Sequence, residues 1–501
     1  MSKSLRGSVV FAGLVVMVLG VSQVAFAGGA VTQSQDPAAS SSETSKAAKS
    51  QTKSKKTKKK AANNSFVVLG TYAPQTVALP NVTSSLQTLV PDPIVNSRGT
   101  VTAEKTPTLH ILPVNEPPAT VASAGQLVIS EFRVRGPNGL NDEFIEIANV
   151  SGADHTVAAL SGSGYGVAAS DGTTRCSIPN GTVIPNRGHY LCVNSVGYSL
   201  ASYPAGNGTT ATGDATYTLN IPDNAGIALF NNNTGGASYS LANRIDAVGS
   251  TSEANPTYKE GTGYPALVPF SIDYSFYRDN CGKGGSITTF GACPTGGNLK
   301  DTNNNAADFV FVDTNGTSAG AGQRLGAPGP ENLSSPIERN ASFAVNVLDV
   351  CVAPASPPNR VRDFTSDPPN NSTFGTLDIR RSVINNTGGN VTRLRFRVVD
   401  LTTFPAPSGI ADLRPRTSNA VVVTVDRPPC GSGTSNVTVN GTTLEQPPSQ
   451  PNGGGFNSSM SAGTITLATP LANGATVDVR FLLGIQQTGS FKFFINVEAL
   501  P

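Results

Sequence analysis

Leu127-Val128-Ile129-Ser130-Glu131-Phe132-Arg133-Val134, the turn Gly136-Pro137-Asn138-Gly139, and Glu143-Phe144-Ile145-Glu146-Ile147 decide the class of this 501-residue chain. The two runs are rich in β-branched and aromatic residues, and Gly-Pro-Asn-Gly between them is turn chemistry. Strands alternate faces, so Glu143, Ile145 and Ile147 share one face of the second run, and Phe144 and Glu146 the other. The same grammar recurs at Val183-Ile184, Tyr190–Val193, Gly226–Phe230 and Arg244–Val248, with no long helical period between. From Ser342 onward, Phe343–Val350, Gly375–Arg380, Leu394–Val398, Val421–Val425, Ala475–Phe481 and Phe491–Val497 alternate in turn. Short strands at this spacing predict an all-β chain with two immunoglobulin-like β-sandwiches, at 120–333 and 340–501.

Composition agrees with that class. There are 52 Gly and 36 Pro, charged residues make up 14%, and Trp is absent, as expected of short strands joined by many turns. The first 119 residues read differently. Lys3 and Arg6 precede an apolar run from Val9 to Val21, and Ala25-Phe26-Ala27 supplies a small-x-small site. Residues 1–27 are therefore expected to be a signal peptide cleaved after Ala27; an uncleaved anchor is the rival reading. Residues 28–62 are Ser, Ala, Thr, Gln and Lys, a composition expected to stay disordered. Residues 63–119 read as a linker with low strand content, broken by prolines.

Six cysteines in an exported chain suggest disulfides. Their connectivity is open from sequence; pairing by proximity gives Cys176 with Cys192, Cys281 with Cys293, and Cys351 with Cys430. Charge is asymmetric. Lys46, Lys49, Lys53, Lys55, Lys56, Lys58, Lys59 and Lys60 form one tract, and without the first 60 residues the chain has 25 basic and 31 acidic side chains. Such a tract either attracts anionic polymers, with steep salt dependence, or serves as a solvated spacer. A secreted or cell-surface location is the expectation.

Four pieces, in order, carry a resemblance. They are Leu127–Phe132 with Asp142–Asn149; the hairpin Ile178-Pro179-Asn180-Gly181-Thr182 to Tyr190-Leu191; Ala225–Phe230 with Arg244-Ile245-Asp246-Ala247-Val248; and Asp301–Phe309. Together they resemble a lamin tail domain of the bacterial secreted type. The resemblance implies an immunoglobulin-like sandwich that binds or scaffolds. The Trp common after the second strand is missing, and Tyr165 stands as its substitute.

Reactive side chains are sparse. His110, His155 and His189 form no zinc-ligand spacing, and no G-x-S-x-G or phosphate loop occurs. His189 reads as a surface residue. Glu131, Glu143 and Glu146 are the most tempting carboxylates, of which a glycosidase would need two, and they read as strand consensus rather than a catalytic dyad. Asp301, Asn303, Asn305 and Asp308 have the alternate oxygens of a calcium loop but lack its sixth-position Gly and twelfth-position Glu; an Asx-turn loop is the competing reading. Arg393, Arg395 and Arg397 share one strand face opposite Leu394, Phe396 and Val398. They read as an anion-binding patch or, preferred here, a solvated face balanced by Asp378 and Asp400. Tyr165, Tyr190, Tyr198 and Tyr217 are the aromatics open to a sugar-stacking role. No enclosed gathering of reactive groups is expected, and no cofactor apart from calcium.

The expectation for function is an exported, non-catalytic structural or binding protein engaged in extracellular interaction or adhesion. Its partner would be a protein, a cell-wall polymer or another anionic polymer. An accessory module for polysaccharide or nucleic acid is the alternative, and a hydrolase ranks third.

Overall fold

The computed structural model describes residues 68–70 and 126–501, apart from 204–210, 269–270, 281–298, 318–319, 321 and 446–449. The signal-like segment, His110, the tract containing Lys53, Lys55, Lys56, Lys58, Lys59 and Lys60, and the Cys281–Cys293 pair lie outside the described residues, as does nearly all of the linker. Strands hold 43% of the described residues and helices 6%, so the described protein is all-β.

The first sandwich is built from β1 (Leu127–Arg133), β2 (Phe144–Asn149), β3 (Gly164–Ala169), β4 (Thr174–Pro179), β5 (His189–Asn194), β6 (Ala215–Tyr217), β7 (Ile227–Phe230), β8 (Arg244–Val248), β9 (Tyr274–Arg278) and β10 (Phe309–Asp313). One sheet runs β10-β9-β1-β2-β5-β6, and the other β8-β7-β3-β4. Their facing sides interdigitate Ile129, Phe132, Ile145, Ile147, Tyr165, Val167, Tyr190, Ile227, Leu229 and Phe276 into one dry core. Tyr165 is fully buried there, and its hydroxyl meets His155 Nε2 at 3.2 Å. The Cys176–Cys192 disulfide joins β4 of one sheet to β5 of the other.

The parity of β1 changes midway. Leu127 and Ile129 face the core, and so do Phe132 and Val134, because a β-bulge falls between Ile129 and Glu131. A bulge adds one residue to one strand and re-aims the side chains beyond it. Here it turns Glu131 away from the core.

The second sandwich contains β11 (Phe343–Val347), β12 (Arg360–Asp363), β13 (Thr376–Asn385), β14 (Arg393–Leu401), β15 (Asp412–Arg416), β16 (Val421–Asp426), β17 (Thr434–Val439), β18 (Thr443–Leu444), β19 (Ser459–Ser461), β20 (Thr476–Gln487) and β21 (Phe493–Leu500). One sheet runs β11-β13-β20-β15, with β12 also on β13. The other runs β21-β14-β19-β18, with the short strands Val68–Gly70 and Ile337–Glu338 on β21. Leu394, Phe396, Val398, Met460, Phe481, Leu483, Phe493 and Val497 fill the space between them. The hairpin β16-β17 stands apart over a small cluster of Leu348, Val423, Val425 and Val439, and the Cys351–Cys430 disulfide clips it to the end of the first strand.

The segment after β10, which carries Pro328-Gly329-Pro330 near the end of the first span, is buried from Leu325 to Asn332. It threads between the sandwiches. Leu325 N donates to Phe404 O, Gly326 bridges to Phe456, and Tyr277 and Val312 of the first sandwich join the apolar cluster of the second. At two positions of this strap a side chain would collide with its neighbours. A Cβ on Gly326 would lie 2.4 Å from Phe456 O, and one on Gly329 would lie 2.2 Å from an Arg397 guanidinium nitrogen.

Candidate functional site

The two sheets that meet across the strap present polar side chains to each other. From β14 come Arg395 and Arg397, from β21 Asn496 and Glu498, and from β19 Ser459 and Ser461, all alternating with core residues. From the first sandwich come Glu131 of β1, Glu146 of β2 and His189 of β5; the strap adds Glu331.

Arg395 Nε donates to Glu498 Oε2 at 2.6 Å, its Nη2 binds Glu331, and its Nη1 lies 3.6 Å from Glu445 Oε2. Arg397 Nε donates to the other oxygen of Glu498 at 2.7 Å, and its Nη1 donates to Gly329 O at 3.2 Å and Asn457 Oδ1 at 3.0 Å. Glu131 accepts from Gly329 N at 2.9 Å and Asn457 Nδ2 at 3.0 Å. Glu146 accepts from Ser130 Oγ and from Glu331 N, the latter at 2.6 Å. Most of these bonds cross between a sandwich and the strap, or between the sandwiches themselves.

Five glutamates face two guanidiniums, so the seam is overloaded with acid. Burial pushes the Glu131 carboxyl up, and it pushes Glu146 well up with Glu131's repulsion added. Burial also lifts Glu445 to about 7. Glu498 behaves oppositely: burial favours its neutral form, but Arg395 and Arg397 outweigh that and hold it below the usual range. His189 lies 3.4 Å from Glu331 and 3.8 Å from Glu146, yet burial and the Arg397 charge pull its pKa down to about 3, so the ring is neutral. The cleft between these groups has a free volume of about 70 Å³. That is room for a few water molecules, well short of the several hundred Å³ typical of a small-molecule site.

Four sequence expectations are corrected here. His189 is mostly buried at the seam, not a surface residue, because β5 sits next to β2 in the sheet that meets the strap. Arg395 and Arg397 are 1% and 7% exposed, so this face is neither solvated nor a surface patch; Arg393, at the strand's start, is half-buried. The acids assigned to balance them sit elsewhere, Asp378 against Arg380 and Arg480, and Asp400 against Lys492. Reactive groups do gather in an enclosed place, against expectation, although the oxygens of Glu131, Glu146 and Glu498 are engaged by donors. Glu331, Glu445, Asn457 and Glu498 escaped the sequence reading. Only Glu498 carried a signal, a lone acid alternating between Val497 and Ala499 on an apolar strand. Tyr165, Tyr190 and Tyr217 lie in the first core, not on an exposed platform.

A second polar cluster surrounds the calcium-type segment. Arg278 of β9 is fully buried; its Nε donates to Ile129 O at 2.9 Å and its Nη2 to Asp246 Oδ2 at 2.6 Å. Its Nη1 lies 3.4 Å from Asp301 Oδ1 and 3.8 Å from Asp308 Oδ2. Asn305 accepts from Gly249 N and Glu260 N and donates to Ala247 O, so its amide knits loops together. Asp308 caps Thr302 N, Thr302 Oγ1 and Asn304 N, and Asn303 sits in the left-handed region at φ 55°. The structure therefore does not assemble Asp301, Asn303, Asn305 and Asp308 around one point.

Comparison with known proteins adds no name: no family model, no curated protein and no solved structure matches the chain.

Proposed function

We propose that the chain is an exported, non-catalytic structural or binding protein in which a lamin-tail-like sandwich and a second immunoglobulin-like sandwich act as one rigid unit. The observation that carries this reading is the seam. Arg395 and Arg397 of the second sandwich bind Glu331 of the strap, Glu131 of the first sandwich accepts from Asn457 of the second, and the cleft has room only for water. Buried ion clusters of this kind fix the relation between elements more than they add stability. The two disulfides, Cys176–Cys192 and Cys351–Cys430, fit an oxidising environment. Among the described residues no helix is long and apolar enough to cross a membrane.

The lysine tract supports a second reading, that the unit is held near an anionic polymer by its N-terminal segment. The tract is strongly basic and the rest of the chain mildly acidic, so a polyanion such as a charged polysaccharide or nucleic acid would be drawn to the tract and not to the remainder. Full-length protein and a variant lacking residues 42–60 would be compared on glycan and DNA arrays, with a hydrolase substrate panel alongside. Salt-sensitive binding lost with the tract, and no turnover, is the expected pattern. Turnover of any panel substrate would overturn the non-catalytic reading, and undiminished retention of the deletion variant would remove the tract's role.

A further inference from the structure

Next to Arg278 lies a gathering of acid that the seam does not explain. Asp246 of β8, Glu260 in the loop after Pro256–Tyr258, and Asp301 each bring one carboxylate oxygen to within 4.8 Å of the others. Opposite oxygens around a calcium ion stand about 4.8 Å apart, given Ca–O bonds of roughly 2.4 Å. The spacing thus suits one hard cation between three carboxylates.

Two independent facts point to an occupant. The first is the state of the oxygens. Asp246 Oδ2 is taken by Ile129 N and Arg278, both at 2.6 Å, but Asp246 Oδ1 is buried with no hydrogen-bond partner. Glu260 Oε1 is 3.1 Å from Arg244 Nη2, while its Oε2 is likewise buried and unpartnered. These residues are 1% and 5% exposed, and buried carboxylate oxygens without donors are costly to maintain. The second is the charge. Asp246, Glu260, Asp301 and Asp308 face the guanidiniums of Arg278 and Arg244, which leaves two negative charges over. Among the described residues neither Lys259 nor Lys300 forms an ion pair with these acids; their ammonium groups reach the carbonyls of Glu253 and Ala307 instead.

We propose that Asp246, Glu260 and Asp301 form a divalent cation site, of the calcium type, at the edge of the first sandwich. A doubly charged ion meets the residual charge and gives both orphan oxygens a partner. Asp301, at 15% exposure, lies on the solvent side and provides the entry, with water completing the coordination sphere. Bound there, the ion ties β8 to the loops carrying Glu260 and Asp301. All-oxygen ligation without Cys or His selects calcium or magnesium over transition metals. Three carboxylates, one on a strand and two in separate loops, favour calcium, whose geometry is the more tolerant.

The test uses the full chain with calcium chloride as probe, by titration calorimetry and thermal melts, beside Glu260→Gln and Asp301→Asn. Wild type is expected to take up one calcium per chain, and its Tm to rise with calcium up to about 10 mM, above the range of extracellular calcium modules. Both variants should lose that heat and that rise. Glu260→Gln keeps an acceptor for Arg244 and sheds one surplus charge, so in chelator it should melt at or above wild type, and in calcium below it. That reversal is the signature of the site. The proposal is overturned if wild type shows neither heat nor a Tm rise. It is equally overturned if either variant, folded by near-ultraviolet circular dichroism, still binds calcium as wild type does. A Glu260→Gln variant more stable than wild type in both conditions would mean that a proton, not a metal, neutralises the trio.

Discussion

Strand β14 samples two regions that solve the burial problem differently. Leu394, Phe396 and Val398 point into the core of the second sandwich, where each contact is apolar and interchangeable in kind. Arg395 and Arg397, on the opposite face of the same strand, point into the seam, where each contact is a charge-assisted bond to a named partner. A dry core tolerates loss of one contact by partial relaxation, at a cost set by the cavity left behind. An ionic seam does not, because removing one charge strands the others in a medium that solvates them poorly. The seam therefore fixes the geometry of the pair of sandwiches, and the cores supply the bulk of the stability.

The sharpest way to break that contrast is Arg397→Ala. It takes the donor from Glu498 Oε1 and from Asn457 Oδ1, while Arg395 still holds Glu498 Oε2, and should cost about 3–5 kcal/mol in urea unfolding. The cost should be smaller at pH 5 than at pH 8, since protonation relieves the stranded carboxylates. An equal loss at both pH values would mean that the seam behaves as ordinary packing. Leu394→Ala, one face over, should cost about 2–5 kcal/mol. Its cost should not change with pH, because no titrating group loses a partner.

Opening the disulfide between the sheets of the first sandwich, with Cys176→Ser and Cys192→Ser together, should cost about 3 kcal/mol for a loop of this length. The seam should remain in place, so the pH dependence of unfolding should match wild type; a changed profile would show that the two regions are coupled.

The smallest effect is the pH profile itself. Glu445 is raised to about 7, and Glu131 and Glu146 are raised in the same direction. Stability from a raised carboxyl is complete below the unfolded pKa near 4.5 and is lost as pH rises through the folded value. His189 is lowered to about 3, so its contribution has the opposite sign and is lost as pH falls below about 6.5. The Tm should thus decline from pH 6.5 to 8. Glu445→Gln should flatten that decline, and His189→Gln should flatten the acid side. A Glu445→Gln profile that still tracks wild type above pH 6.5 would remove Glu445 from the account.

Much of this architecture was readable without coordinates. The alternation in Leu394 to Val398 and in Phe144 to Ile147 assigned the core faces, and proximity paired Cys176 with Cys192 and Cys351 with Cys430. The bulge after Ile129 was not readable, since nothing in Ile-Ser-Glu-Phe marks an extra residue, and it decides where Glu131 points. The burial of the strap was not readable, because Gly-Ala-Pro-Gly-Pro has the composition of a loop whether it lies on the surface or is clamped between sheets. The carboxylates of Asp246, Glu260 and Asp301 come from distant stretches, and no spacing rule joins them.

What the sequence determined by itself was the period: residues two apart share a face, a local property fixed by the pleat and by side-chain type. Only the tertiary structure decided what each polar face meets. Whether Arg395 and Arg397 look onto water or onto another sheet depends on chain several tens to hundreds of residues away. A charged side chain carries the same letter in either place, while its energetics differ with the dielectric around it.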